Sequence, residues 1–328
     1  MSSILLIDPA VGTGNLGDEI ISECARKELS FLTKEASFTY TVPSHLPVFH
    51  WYAVLRNSSA VKRYGNCTYK FACGSNMMVK NLLTHYPQWN LNLFNYKPLK
   101  GTVLVGVGAG AGSRTNAYTR YLYRHLLSSA LYHSVRDERS KQYVESLGLK
   151  AINTGCVTMW ALTPEFCSQI PSRKADEVVF TLTAPSETDP KDDRDQLIID
   201  VLKRNYSKVY YWPQAFMDKN YIKRFSNTDG IEILEASRQA YHDFLETHQA
   251  DYVGTRLHGG IYAMRHKKRS IIIAIDERAR GINESNNLNC VDKNNLEALE
   301  PLIGSEFATD VKMDQAAIAE WKKQFKTI

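Results

Sequence analysis

Arg256 and His258 stand two residues apart in the run Tyr252-Val253-Gly254-Thr255-Arg256-Leu257-His258-Gly259-Gly260-Ile261-Tyr262-Ala263-Met264. The run reads as a strand end, a tight turn and a helix start. An always-charged fork and a titratable ring are thus placed at a helix N-terminus, where backbone N–H groups and the helix dipole favour anions. A phosphate or a carboxylate is the natural guest, and Gly259 and Gly260 let the backbone approach it. Taken singly, Arg256 reads as a surface residue of a βα turn and His258 as a core histidine. Taken as a pair in this setting, they read as an anion site.

Other turns carry chemistry of the same kind. Gly12-Thr13-Gly14-Asn15-Leu16-Gly17-Asp18-Glu19 follows the first apolar run. It lacks the Gly-Lys-Ser/Thr of a P-loop, and its glycine spacing is wrong for a dinucleotide fingerprint. Asp18 and Glu19 would repel phosphate but suit sugar hydroxyls or general acid/base work. The competing reading is a turn in which Asp18 is only an N-cap. Gly74-Ser75-Asn76 is a further turn, and the Gly106–Gly112 run, Gly108 included, offers backbone donors or a close approach of two domains. Arg136, at the end of Ser134-Val135-Arg136, is an anion ligand or the partner of Asp137 or Glu138, and Asp137 caps the next helix. Arg278 is a candidate second anion contact, whereas Arg280 reads as a solvated loop residue.

These turns need strands behind them. Runs at Ile4–Ile7, Phe38–Val42, Tyr69–Cys73, Thr102–Val107, His133–Val135 and Ala151–Asn153 alternate with helical patterns such as Glu19–Leu32, Tyr118–Ala130 and Glu138–Leu147. After an unpatterned stretch from Leu162 to Asp176, a second series follows at Val178–Leu182, Val209–Trp212, Ile231–Leu234, Tyr252–Gly254 and Ser270–Ile275. Gln196–Asn205, Gln239–Glu246 and Gly260–His266 are its helices. The continuous apolar strands are those of parallel sheets buried on both faces. The expected fold is therefore α/β, with two doubly wound Rossmann-like domains facing each other. Residues 1–165 form the first, and residues 166–328, with a terminal helix over Asp314–Lys326, form the second. The ligand crevice belongs at the carboxyl ends of the strands, between the domains.

Composition narrows the classes. The 328 residues carry a formal charge of +5, spread along the chain, and no basic run interleaved with aromatics suggests a nucleic-acid groove. Six scattered cysteines form no C-x-x-C pair and read as buried free thiols of a reducing compartment. The first residues do not read as a signal peptide, and no apolar run reaches the roughly 18 residues of a membrane span. A cytoplasmic protein with at most peripheral membrane association is expected. Clustered carboxylates for magnesium are not seen, so no metal and no cofactor are expected. Most of the 18 tyrosines and 5 tryptophans read as core, with Tyr211 and Trp212 at a strand end the ones that could stack on a sugar.

Gly14-Asn15-Leu16-Gly17-Asp18-Glu19, Ser134-Val135-Arg136-Asp137 with Ser140, Gly254-Thr255-Arg256-Leu257-His258-Gly259, and Ile275-Asp276 with Arg278 occur in this order. Together they resemble the polysaccharide pyruvyl transferase family, from the first strand to about residue 280. The resemblance implies a GT-B-like arrangement and transfer of a pyruvyl group from phosphoenolpyruvate to a sugar of a surface polysaccharide, capsular or exopolysaccharide, or its lipid-linked precursor. It associates Arg256, His258 and Arg136 with phosphoenolpyruvate, the second domain being the donor side and the first the acceptor side. The chain departs from the family where Cys156-Val157-Thr158 follows Gly155 in place of Asp-Pro, and where Cys73-Gly74-Ser75-Asn76 replaces a run of glycines.

On this reading the arginines bind the oxygens of phosphoenolpyruvate, His258 delivers a proton, and Asp18 or Glu19 takes one from the sugar hydroxyl. Asn15, Gly14, Gly17, Gly74, Ser75, Asn76, Gly108, Gly259, Gly260 and Arg278 complete the binding set. Two other functions fit the same residues: a glycosyltransferase using a nucleotide sugar, and a non-catalytic binder of anionic glycans.

Overall fold

The computed structural model describes residues 2–84, 88–110, 114–185 and 190–326, the side chains of Glu277 and Arg278 excepted. The chain forms two compact units. One comprises Met1–Thr13, Ile21–Trp160 and Asp314–Ile328, the other Gly14–Ile20 and Ala161–Met313.

The first unit is built on β1 (Ser3–Asp8), β2 (Phe38–Pro43), β3 (Tyr69–Cys73) and β4 (Thr102–Val105), all parallel in the order β2-β1-β3-β4. Ile4 to Ile7 are at most 1% exposed, as a strand covered on both faces requires. A parallel pair, β5 (His133–Val135) and β6 (Ala151–Asn153), continues the series. Between β4 and β5, side chains stand in for ladder bonds. Leu104 N–H donates to His133 Nδ1 (3.2 Å) and Gly106 N–H to Ser134 Oγ (2.8 Å). The order reverses direction between β1 and β3, so the turn after β3, Gly74-Ser75-Asn76, lies at a topological switch point.

The terminal helix Gln315–Lys323 belongs to this first unit, not to residues 166–328 as its sequence position suggests. The reason is aromatic packing. Trp321 is fully buried against Phe71, Trp160 and Phe325, and its Nε1–H donates to the Tyr132 carbonyl (2.9 Å).

The second unit carries β7 (Glu177–Thr181), β8 (Lys208–Tyr211), β9 (Ile231–Ile233), β10 (Ala250–Gly254), β11 (Ser270–Ala274) and β12 (Cys290–Asp292). They form one parallel sheet in the order β12-β11-β10-β7-β8-β9. Counted from β7, this is the 3-2-1-4-5-6 order of the Rossmann fold, and its switch point lies between β7 and β10. The strand expectations hold to within two or three residues. The helices Ser59–Gly65 and Glu277–Asn286 and the strand β12 were not legible. Among the described residues no helix is long and apolar enough to cross a membrane. All six cysteines are free and five are buried.

Candidate functional site

The turn after β10 opens at the switch point of the second unit. The ends of β7 and β10 are tied together by a relay of hydroxyls. Arg256 N–H donates to Thr181 Oγ1 (3.2 Å), the Thr181 hydroxyl to Tyr252 Oη (2.6 Å), and the Tyr252 phenol to the Arg256 carbonyl (2.7 Å). Burial pushes the Tyr252 phenol pKa up, so it stays a donor. Arg256 is the N-cap residue of helix Leu257–Arg265, and no side chain caps that helix. His258 follows in the first helical turn, half-buried. The anion-favouring end of this helix is thus left to other partners.

The guanidinium of Arg256 is not the open fork that the sequence suggests. Asp218, fully buried, takes it bidentately, from Nε to Oδ2 (2.9 Å) and from Nη2 to Oδ1 (2.6 Å). The same carboxylate also accepts from Ala184 N–H and Ala215 N–H, both at 3.0 Å. Four donors converge on one charge and fix the plane of the guanidinium. Nη1 is the edge that Asp218 does not engage. Asp218 escaped the sequence reading because it lies beyond the strand Val209–Trp212, in the helical turns of Phe216–Arg224.

A second residue missed in the sequence is Gln214, 3% exposed, which follows β8. Its carboxamide is clasped between two glycines. A Cβ on Gly17 would lie 2.8 Å from its Nε2, and one on Gly259 2.9 Å from its Oε1. Nε2 donates to Asn15 Oδ1 (3.3 Å), while Oε1 is buried with no hydrogen-bond partner among the described residues. Gly259 and Gly260 leave no room for a Cβ, because Gln214, Tyr252 and Ile272 pack against them. A polar residue in the turn that follows an interior strand was the available signal for Gln214.

The Gly14–Ile20 segment completes this group and belongs to the second unit, although its sequence position suggests the first. Leu16 N–H donates to the Gln214 carbonyl (2.9 Å), Phe216 N–H to the Gly14 carbonyl (3.1 Å), and Asn15 bridges Ala215. Asn15, not Asp18, caps helix Leu16–Glu28, accepting from Gly17 N–H (3.1 Å) on Oδ1. Asp18 lies inside the first turn at 6% exposure. Glu19, more open, stands 3.9 Å from Arg238 Nε, a cation that the sequence reading passed over.

The first unit assembles its own group. Gly74 and Ser75 both adopt positive φ (67° and 61°), which turns the chain sharply after β3. Gly108 N–H donates to the Ser75 carbonyl (2.8 Å). A Cβ on Gly108 would fall 2.5 Å from both Arg136 Cζ and Asn76 Oδ1, so these three residues meet at one point. Asn76 Oδ1 is buried without a hydrogen-bond partner among the described residues. Arg136, 9% exposed in its side chain, pairs with Asp137 (3.1 Å), which also caps helix Glu138–Ser146 through Ser140 N–H (2.7 Å). Burial opposes ionisation of Asp137, but the Ser140 bonds and Arg136 outweigh it and hold its pKa below the usual range.

Arg278 falls on helix Glu277–Asn286, and its side chain lies outside the described residues. Arg280 is in that helix and pairs with Asp292 (2.6 Å) rather than lying in a solvated loop. Trp212 and Tyr211 are fully buried; Trp212 stacks on Tyr241 at 3.8 Å, which removes both as platforms for a sugar.

Residues 15–277 match the profile of a family described as polysaccharide pyruvyl transferase. No curated protein matches the chain. Among solved structures, a UDP-GlcNAc 2-epimerase of Methanocaldococcus jannaschii, in complex with UDP-GlcNAc and UDP, is similar at a TM-score of 0.55 and 11% identity, over 98% of each chain. S. aureus MnaA, bound to UDP, is similar at a TM-score of 0.51 and 12% identity, over 97% of this chain and 94% of that one. At such identities the likeness shows the fold alone, a GT-B-like α/β architecture.

Proposed function

Because the chain belongs to the polysaccharide pyruvyl transferase family, we propose that it moves the pyruvyl group of phosphoenolpyruvate onto two hydroxyls of a sugar in a polysaccharide or its lipid-linked precursor. The observation that carries this reading is the uncapped end of helix Leu257–Arg265, set at the Rossmann switch point with Arg256 and His258 on it. Asp218 fixes the Arg256 guanidinium, and Nη1 is the edge we assign to a donor oxygen. Rigid charge of this kind costs no reorganisation during reaction.

Protonation of phosphoenolpyruvate at C3 leaves an oxocarbenium-like centre at C2. One sugar hydroxyl bonds to C2 and the C2–O bond to phosphate breaks. The second hydroxyl then closes the ketal. The two hydroxyl protons end on the new methyl group and on the released phosphate. His258 is the proton donor in this scheme and Asp18 the base, with Glu19 and Asn15 on the sugar side. Gln214 Oε1, a buried acceptor, suits a sugar hydroxyl, because an orphan acceptor left dry costs about 1–3 kcal/mol. In the first unit, Arg136 with Asn76 offers a cation beside an acceptor, which fits a carboxylate-bearing or hydroxyl-rich ligand.

The test is release of inorganic phosphate from phosphoenolpyruvate across a panel of sugar acceptors. Release that depends on the acceptor, lost in His258→Ala by about 10²–10⁴-fold in kcat and not rescued by His258→Gln, is the expected result. Near-normal kcat in His258→Gln would make His258 a binding residue only. The solved structures named above hold UDP or UDP-GlcNAc, so a nucleotide sugar is the second reading. A thermal shift with UDP-sugars and none with millimolar phosphoenolpyruvate would favour it.

A further inference from the structure

Helix Leu257–Arg265 has two ends, and its C-terminal end meets a separate group of side chains. His242 and Glu246 lie one turn apart on helix Arg238–Thr247, so they share a face. His266 is the C-cap residue of helix Leu257–Arg265. His242 Nδ1 stands 3.0 Å from His266 Nε2, and His266 Nε2 stands 3.6 Å from Glu246 Oε1. One ligand atom from each of the three lies within 4.8 Å of the others. A tetrahedral ion with bonds of about 2.0–2.1 Å separates its ligands by about 3.3 Å. The two observed separations straddle that value.

The tautomer of His266 suits such an ion. A carbonyl oxygen only accepts, so the 2.8 Å contact of His266 Nδ1 with the Tyr262 carbonyl puts the ring proton on Nδ1. The Nε2 lone pair then points at His242. This backbone bond is the outer contact that commonly orients a metal-binding imidazole. The Tyr262 hydroxyl accepts from Arg238 Nη1 (3.2 Å) and lies 3.2 Å from His242 Nδ1, where it can donate. With the His242 proton on Nε2, two imidazole lone pairs face each other at 3.0 Å beside a carboxylate, an arrangement that suits a cation; with it on Nδ1 the rings form an N–H···N hydrogen bond instead.

We propose that His242, Glu246 and His266 form a binding site for one divalent transition-metal ion of the zinc class, clamping helix Arg238–Thr247 to the C-terminal end of helix Leu257–Arg265. Two imidazoles and one carboxylate suit zinc, cobalt or nickel, and are too nitrogen-rich for magnesium or calcium. Three protein ligands leave a fourth position for water. Glu246, 59% exposed, opens the site to solvent, while His266, 11% exposed, anchors it. The role is a structural clip, which does not depend on the pyruvyl transfer reading.

The experiment uses the full chain, stripped of metal by a chelator and freed of any purification tag. Zinc is titrated against a chromophoric chelator, and cobalt is followed by its visible absorption. One equivalent of zinc should bind, cobalt should give the intense bands of tetrahedral coordination, and magnesium should not compete. His242→Ala and His266→Ala should each weaken zinc binding by about 100-fold or more, and Glu246→Gln by about tenfold. His125→Ala, a surface histidine elsewhere, should leave it unchanged. Zinc should also raise the thermal midpoint of the parent chain more than that of Glu246→Gln, a substitution at an exposed position. Failure to bind one equivalent, or binding insensitive to all three ligand substitutions, would overturn the proposal and leave the histidines as a simple N–H···N pair.

Discussion

Each unit ends a strand of its sheet with an arginine, and the two arginines are held in opposite ways. In the second unit Arg256 is gripped by a fully buried carboxylate that two backbone N–H groups also hold. In the first, Arg136 leans on Gly108 and pairs with its own neighbour, Asp137, which is already engaged as a helix cap. Asp218 comes from 38 residues away in the chain, whereas Asp137 is adjacent. The first arrangement depends on the assembled sheet and sets a rigid charge. The second is local and leaves the guanidinium placed by sterics as much as by charge. Both units also keep a buried orphan acceptor next to a glycine, Gln214 Oε1 beside Gly259 and Asn76 Oδ1 beside Gly108. Such atoms are kept at a cost in stability, which fits sites shaped for a ligand's donors.

The comparison breaks most visibly at Asp218. Asp218→Asn should destabilise the protein by about 3–5 kcal/mol, because it strands a largely buried guanidinium. Denaturant unfolding measures this, and a loss below about 1 kcal/mol would show that Arg256 is not held as described. Asp137→Asn, at a half-exposed partner, should cost far less.

Acid should act on the first unit through His133, which sits on β5 three residues before Arg136. Burial lowers its pKa from 6.5 to about 4, against the opposing bond to the Ser128 carbonyl. The folded state therefore resists a proton that the unfolded chain accepts. Stability is full above pH 6.5, falls as pH drops from 6.5 toward 4, and by then has lost roughly 3 kcal/mol. Unfolding free energy in His133→Gln, followed over this range, should lose much of that slope.

Gly108→Ala tests the steric hold on Arg136. The new methyl would collide with the guanidinium and with Asn76 Oδ1. A stability loss of about 1–3 kcal/mol is expected. If Arg136 binds a ligand, KM should rise more than kcat falls. An unchanged KM would leave Arg136 a structural residue. The smallest effect is expected for Asn15→Ala, about 1 kcal/mol from loss of the helix cap.

Parallel strands, their order of appearance and the post-strand turns were legible because each is local. A continuous apolar run such as Ile4–Ile7 has no alternative to burial on both faces, and Arg256 with His258 reads as a turn from its neighbours alone. The same locality made Arg136, Asp137 and Ser140 readable as a strand end and cap. Unit membership was not legible in this way. The terminal helix joined the first unit because Trp321 found Phe71 and Trp160, more than 150 residues away in sequence.

What the sequence by itself determined is the class of architecture and the chemistry of single turns, since periodicity and turn composition act over a few residues. What only the tertiary structure decided is who partners whom. It gave the fork of Arg256 to Asp218, made Gly259 and Gly17 the walls of Gln214, moved Gly14–Ile20 to the second unit, and buried Trp212 under Tyr241. It also brought His242 and Glu246 to His266 across two helices. Charge pairing and packing over such separations depend on strand order and register, which no local pattern encodes.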